Sequence, residues 1–123
     1  MPAAIVSEEN RLVVVQMNET ATREAILDIV TQTYPKLGER SILWDFRQSD
    51  VQLLTEGDFQ AIAATASAVL PRGGFRKTAY VVANSADYVK AVKYLNVAAK
   101  NRVPAEYNAF TSIEAARAWL AQR

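Results

Sequence analysis

Two short runs of nearly unbroken apolar residues, SILWDF (41–46) and KTAYVVA (77–83), constrain the fold more than any other feature of the chain. A strand with one face in water alternates apolar and polar side chains. A run that is apolar on both parities belongs to a strand covered on both faces. Each run leads into a stretch at helical spacing. TEGDFQAIAATASAVL places Phe59, Ile62, Ala63, Ala66, Val69 and Leu70 on one stripe and stops at Pro71. ADYVKAVKYLNVAAK (86–100) is expected to bury Tyr88, Val92, Leu95 and Ala99, with Asn84 or Ser85 as its cap. Covered strands separated by helices imply a mainly parallel sheet with right-handed crossovers.

The flanks extend the pattern. AAIVS and RLVVVQM, split by the polar EEN, predict an opening hairpin. TATREAILDIVTQTY carries Ile26, Leu27, Ile29, Val30 and Tyr34 at helical spacing, capped by Thr20 or Thr22 and ended by Pro35 and Gly38. After Pro104, EYNAF reads as a last strand. SIEAARAWLAQ then reads as a last helix with Ile113, Ala116, Trp119 and Leu120 inward, capped by Ser112 or Thr111. The expected order is β-β-α-β-α-β-α-β-α, in one domain over residues 1–123, with helices on one face of the sheet or both.

Several chemistries are absent from the composition. The 123 residues include no cysteine and no histidine, which removes thiolate nucleophiles, thiolate metal sites, and the commonest general base and metal ligand. A non-enzymatic protein without cofactor or metal is the expectation. The start MPAAIVSEEN has neither the basic nor the apolar region of a secretory signal, and no apolar run is long enough to span a membrane. A cytoplasmic protein without integral membrane contact is expected. Residues 1–60 hold five Lys/Arg against ten Asp/Glu and residues 61–123 hold nine against three, an asymmetry suited to self-association or an acidic partner unless the halves intermix in the fold.

The carriers RLVVVQM, ILWDF with the helix after LLTEGDF, and YNAFTSIEAARAWL make the chain resemble a STAS domain, the fold of bacterial anti-sigma-factor antagonists. It is most similar to the SpoIIAA-like proteins, a STAS/SEC14-type family, over nearly its whole length. The resemblance implies a STAS-like α/β fold that works by binding a protein partner or itself, as a homo-oligomer such as a dimer. In the antagonists the loop before the second long helix carries Asp-Ser-Ser-Gly, phosphorylated on its first serine. The matching residues here are Leu54, Thr55, Glu56 and Gly57, which makes Thr55 a candidate phosphosite. The competing reading is a capping box, with Thr55 starting the helix and Asp58 three residues on. A phosphate there would meet the repulsion of Glu56 and Asp58.

An interface is expected around Glu56, Gly57 and Asp58 and along the small face Ala61, Ala64, Thr65 and Ala68. The family's SEC14 side implies a second possibility, a carrier of a small apolar ligand or lipid. Its pocket would lie between sheet and helices and draw on Trp44, Asp45, Phe46, Tyr80, Tyr88 and Tyr94. An enzyme based on Asp45, Glu56 or Asp58 is the third. Asp45 stands near the carboxyl end of its strand, where ligands gather in open α/β sheets; alternatively it accepts hydrogen bonds from the loop at Arg47 to Asp50. PRGGFRK (71–77) offers Arg72, Arg76 and Lys77 beside Phe75 to phosphates, or simply forms a turn. No nucleotide motif is present and no nucleic-acid partner is expected. Lys90, Lys93, Val97 and Lys100 form either a docking face or a solvated one.

Overall fold

The computed structural model describes residues 4–9, 11–71 and 76–122. Strands β1 (Ala4–Glu9), β2 (Leu12–Met17), β3 (Ser41–Asp45), β4 (Lys77–Val81) and β5 (Glu106–Phe110) form one sheet in that order. The β1–β2 pair is antiparallel, with Val6 opposite Val15, and every later pair is parallel. Helices α1 (Arg23–Thr33), α2 (Glu56–Val69), α3 (Ser85–Lys100) and α4 (Ile113–Ala121) alternate with the strands, and a 3-10 turn, Tyr34–Lys36, continues α1. The protein is an α/β fold with a five-stranded, mostly parallel sheet.

Strand order settles which faces the helices cover. When each parallel strand lies beside its predecessor and every crossover is right-handed, all crossover helices fall on one face. Accordingly α1, α2 and α3 share a core with Val13, Val15, Ile42, Trp44, Phe46 and Val82. The other parity of the same strands, Leu43, Ala79 and Val81, packs on Ala116 of α4, with Trp119 and Leu120 alongside. Both faces of β3 and β4 are therefore buried, as their apolar runs require. β1 stays exposed, with Ile5 and Val6 about half accessible.

Local signals explain the helix ends. Thr22, Thr55, Asn84 and Ser112 each sit extended before a helix and accept a hydrogen bond from the third residue onward. Pro35 enters the 3-10 turn, and Gly38 adopts φ +60 in the segment that follows.

Two sequence expectations need correction. In α3 the inward stripe is Asp87, Tyr94, Val97 and Ala98, with Ala91 packed against them; Tyr88 and Ala99 are exposed, and Val92 and Leu95 only half buried. Val97 consequently belongs to the core and not to a basic outer face. Of the basic residues after Pro71, Arg76 and Lys77 do not offer their charges to an open phosphate site either. Arg76 is buried and donates to the carbonyls of Gly38, Pro71 and Pro104. Lys77, also buried, donates its ammonium protons to the carbonyls of Trp119 and Gln122, each at 2.8 Å, and lies 5.0 Å from the Trp119 ring centre. Both cations are thus spent on backbone carbonyls, those from Lys77 lying at the end of α4. Arg72 to Phe75 of that stretch lie outside the described residues.

Candidate functional site

Three crossover helices packed on one face leave a cavity near the carboxyl ends of β3 and β4. Its walls come from Ile26 and Val30 of α1, Val51 and Leu54 of the β3–α2 loop, Phe59 and Ile62 of α2, and Ala91 of α3. Tyr34, Trp44, Phe46, Tyr80 and Tyr94 join Phe59 to make six aromatic residues in the lining. About 60 Å³ is open to the centres of water-sized spheres, room for on the order of four waters or a group of similar size. Of the residues expected to line a pocket, Trp44, Phe46, Tyr80 and Tyr94 do so.

Asp45 and Tyr88 do not line the cavity. Successive residues of a strand point to opposite faces, so Asp45 lies across the sheet from Trp44. Its Oδ1 accepts from Arg47 N at 3.0 Å and Nε at 2.9 Å, and its Oδ2 accepts from Arg47 Nη2 at 2.9 Å. Burial alone would raise the Asp45 carboxyl, but the hydrogen bonds and charge of Arg47 outweigh it and hold the group below the usual range. Asp45 is thus engaged by the loop that follows it. Tyr88 points outward because α3 is rotated by about one residue from the expected frame.

The aromatic wall is internally ordered. Trp44 Nε1–H donates to the Tyr34 hydroxyl at 3.0 Å, and Trp44 stacks on Phe46 with centroids 5.7 Å apart. Phe59 and Tyr80 each meet Tyr94 edge-on at 5.5 Å. Burial pushes the Tyr34 phenol up to about 12 and also raises Tyr80 and Tyr94. At neutral pH the three phenols are uncharged, so the aromatic wall carries no anion.

Polar groups sit where α3 meets the loop. Asp87 and Lys90 line the cavity from the first turns of α3, and both bond to Gln52 of the loop. Gln52 Nε2 donates to Asp87 Oδ1, while Lys90 Nζ donates to Gln52 O at 2.7 Å. On its other side the same loop is tied to the β2–α1 connection: Ala21 N donates to Asp50 O at 2.8 Å, and Ser49 Oγ donates to Glu19 O. The cavity roof is therefore anchored at both edges. Sequence reading missed Asp87 and Lys90 because inward polar residues break an apolar stripe. The signal was Asp at the third position of α3 with Gln in the preceding crossover.

Thr55 occupies the cap of α2. Its Oγ1 accepts from Asp58 N at 3.1 Å and Asp58 Oδ2 accepts from Thr55 N at 2.9 Å, the two bonds of a capping box. Those bonds, with Arg23 at 3.7 Å from Asp58, hold the Asp58 carboxyl below its usual range. On α2, Glu56, Gly57, Ala64 and Ala68 are exposed and Asp58, Ala61 and Thr65 are half buried. This face runs opposite the residues that meet the core. Among the described residues no group of three or more acidic side chains offers a metal site, and no helix is long and apolar enough to cross a membrane.

No protein-family model, curated protein or solved structure matches the chain. The site therefore rests on its own geometry.

Proposed function

We propose that this protein binds a small, largely apolar ligand in the cavity beneath the β3–α2 loop. The supporting observation is the cavity itself, lined by buried and partly buried aromatic residues near the carboxyl ends of parallel strands. Well-packed interiors leave few voids larger than a water molecule, and ligand sites are concave, mostly apolar and edged by a few polar groups. Leu53, 72% exposed in the roof loop, and Val89, 56% exposed beside Lys90, extend apolar surface outside the cavity. A ligand longer than the void has somewhere to lie.

Native mass spectrometry of protein purified gently from its own cells, followed by mass measurement after denaturation, tests the reading. A reproducible added mass lost on denaturation supports it. Uniformly bare protein, combined with failure of small apolar probes to perturb Trp44, overturns it.

The second reading is a STAS-like interaction module that docks a partner or a second copy on α2. Its support is the outward small face, where Ala64 and Ala68 let another backbone approach closely. Ala64→Arg should then abolish any dimer seen by the same native measurement, while a monomer unaffected by the substitution counts against self-association.

A further inference from the structure

Asp58 and Asp87 hold the same position in their helices, the third residue after the cap, but use their carboxylates differently. Asp58 returns its Oδ2 to the backbone of Thr55 and completes a capping box. Asp87 receives the cap bond from Asn84 on its own N–H, yet its carboxylate turns instead to Gln52. It is 6% exposed, it lines the cavity, and Oδ2 makes no hydrogen bond among the described residues. No buried side-chain oxygen among the described residues lacks a partner, so Oδ2 is accessible, and its lone pairs can accept from a donor that enters beside it.

Its surroundings favour one sign of partner. Six of the fifteen residues around the cavity are aromatic. Ring faces carry negative quadrupole charge, so they attract cations and repel anions. The raised phenol pKa values leave these rings neutral, and only Asp87 contributes a formal negative charge to the lining. Lys90 is the opposing consideration. Its ammonium already donates to the Gln52 carbonyl, and it is less buried than Asp87. Lys90 therefore fixes the roof, and Asp87 Oδ2 remains an accessible acceptor.

From this geometry we infer that the cavity takes a small ammonium group, seated against the aromatic faces and hydrogen-bonded to Asp87 Oδ2. The inference rests on the ligand-binding reading above and adds the ligand's charge and its anchor. The ligand is a small aliphatic amine, or a larger molecule that inserts an aminoalkyl end and lays its remainder toward Leu53 and Val89.

Three probes of similar size separate the cases: isobutylammonium, the near-isosteric neutral isobutanol, and isobutyrate. Binding is read from the NMR shift of the Trp44 indole N–H. The expected result is that isobutylammonium binds at least about tenfold more tightly than isobutanol, as a charge-assisted hydrogen bond provides. Asp87→Asn should remove that advantage while isobutanol binding persists, and Lys90→Met should keep or enlarge it. Equal binding of isobutanol and isobutylammonium, or a preference that survives Asp87→Asn, overturns the anchor and leaves the apolar cavity standing. Tightest binding of isobutyrate overturns it in favour of Lys90. If none of the three shifts the Trp44 signal, the cavity reading falls and the anchor with it. The ranking of probes on the unaltered protein decides the charge preference even if a variant fails to fold.

Discussion

At the scale of single residues, Thr55 shows how one side chain can carry two readings. Its hydroxyl is occupied as a helix cap, and the cap alone predicts a measurable effect. Thr55→Ala should lower stability by about 1 kcal/mol, seen as a lower denaturant midpoint at unchanged slope. A larger loss would mean that Thr55 holds more than the helix start. The carboxylates make a second prediction. Asp45 and Asp58 both titrate below the ordinary carboxylate range when folded, Asp45 because Arg47 outweighs its burial and Asp58 because of the Thr55 N–H. A group with a depressed folded pKa contributes stability above its unfolded pKa, and that contribution disappears as pH falls through the folded value. Denaturant midpoints should therefore hold from neutral pH to about 4 and fall below it. In the double variant Asp45→Asn, Asp58→Asn the midpoint at neutral pH should be lower and the acid decline shallower.

Among elements, α3 explains which parts of this fold could be read from sequence and which could not. Strand and helix positions follow from periodicity because β3 and β4 are apolar on both parities and each helix opens on a capping residue. The rotation of α3 does not follow. Apolar residues occur nearly all round it, from Tyr88 and Val89 through Val92, Tyr94, Leu95 and Val97, so more than one stripe has the right spacing. The choice is made by contacts distant in sequence: the Gln52 tie to Asp87 and the packing of Tyr94 against Phe59 and Tyr80. For the same reason four aromatic wall residues were legible and the two charged ones were not. α4 supplies a prediction of its own. Lys77→Met removes the two bonds that close the end of α4 and should cost about 2 kcal/mol, typical of hydrogen bonds to a charged group. Amide exchange should accelerate mainly in residues 113–121; uniform acceleration would show that α4 does not open separately.

Across the whole molecule, the sheet separates two cores. The larger one beneath α1, α2 and α3 contains the cavity, and the smaller one beneath α4 does not. Leu43→Ala, on the α4 side, should cost about 2–5 kcal/mol and leave isobutanol affinity unchanged in the folded fraction. Phe59→Ala, in the cavity wall, should cost about 3–5 kcal/mol and alter that affinity. An equal change of affinity in both variants would show that the two faces communicate through the sheet. The ion pair of Arg117 on α4 with Glu9 on β1, at 3.0 Å, joins the acidic and basic halves of the chain across that second face. Some of the charge asymmetry in the sequence is therefore neutralised within the fold.

The sheet order β1-β2-β3-β4-β5 also bears on how the chain is made. Every strand finds its partner in the strand synthesised just before it, so a nascent chain can extend the sheet one crossover at a time as it leaves the ribosome. No early strand has to wait for a late one, which keeps the closing loops short and limits the time an apolar edge stands open. The exception is α4. Until residues 113–121 emerge, Leu43, Ala79 and Val81 lack the cover of α4, and that face is the one a chaperone would have to shield.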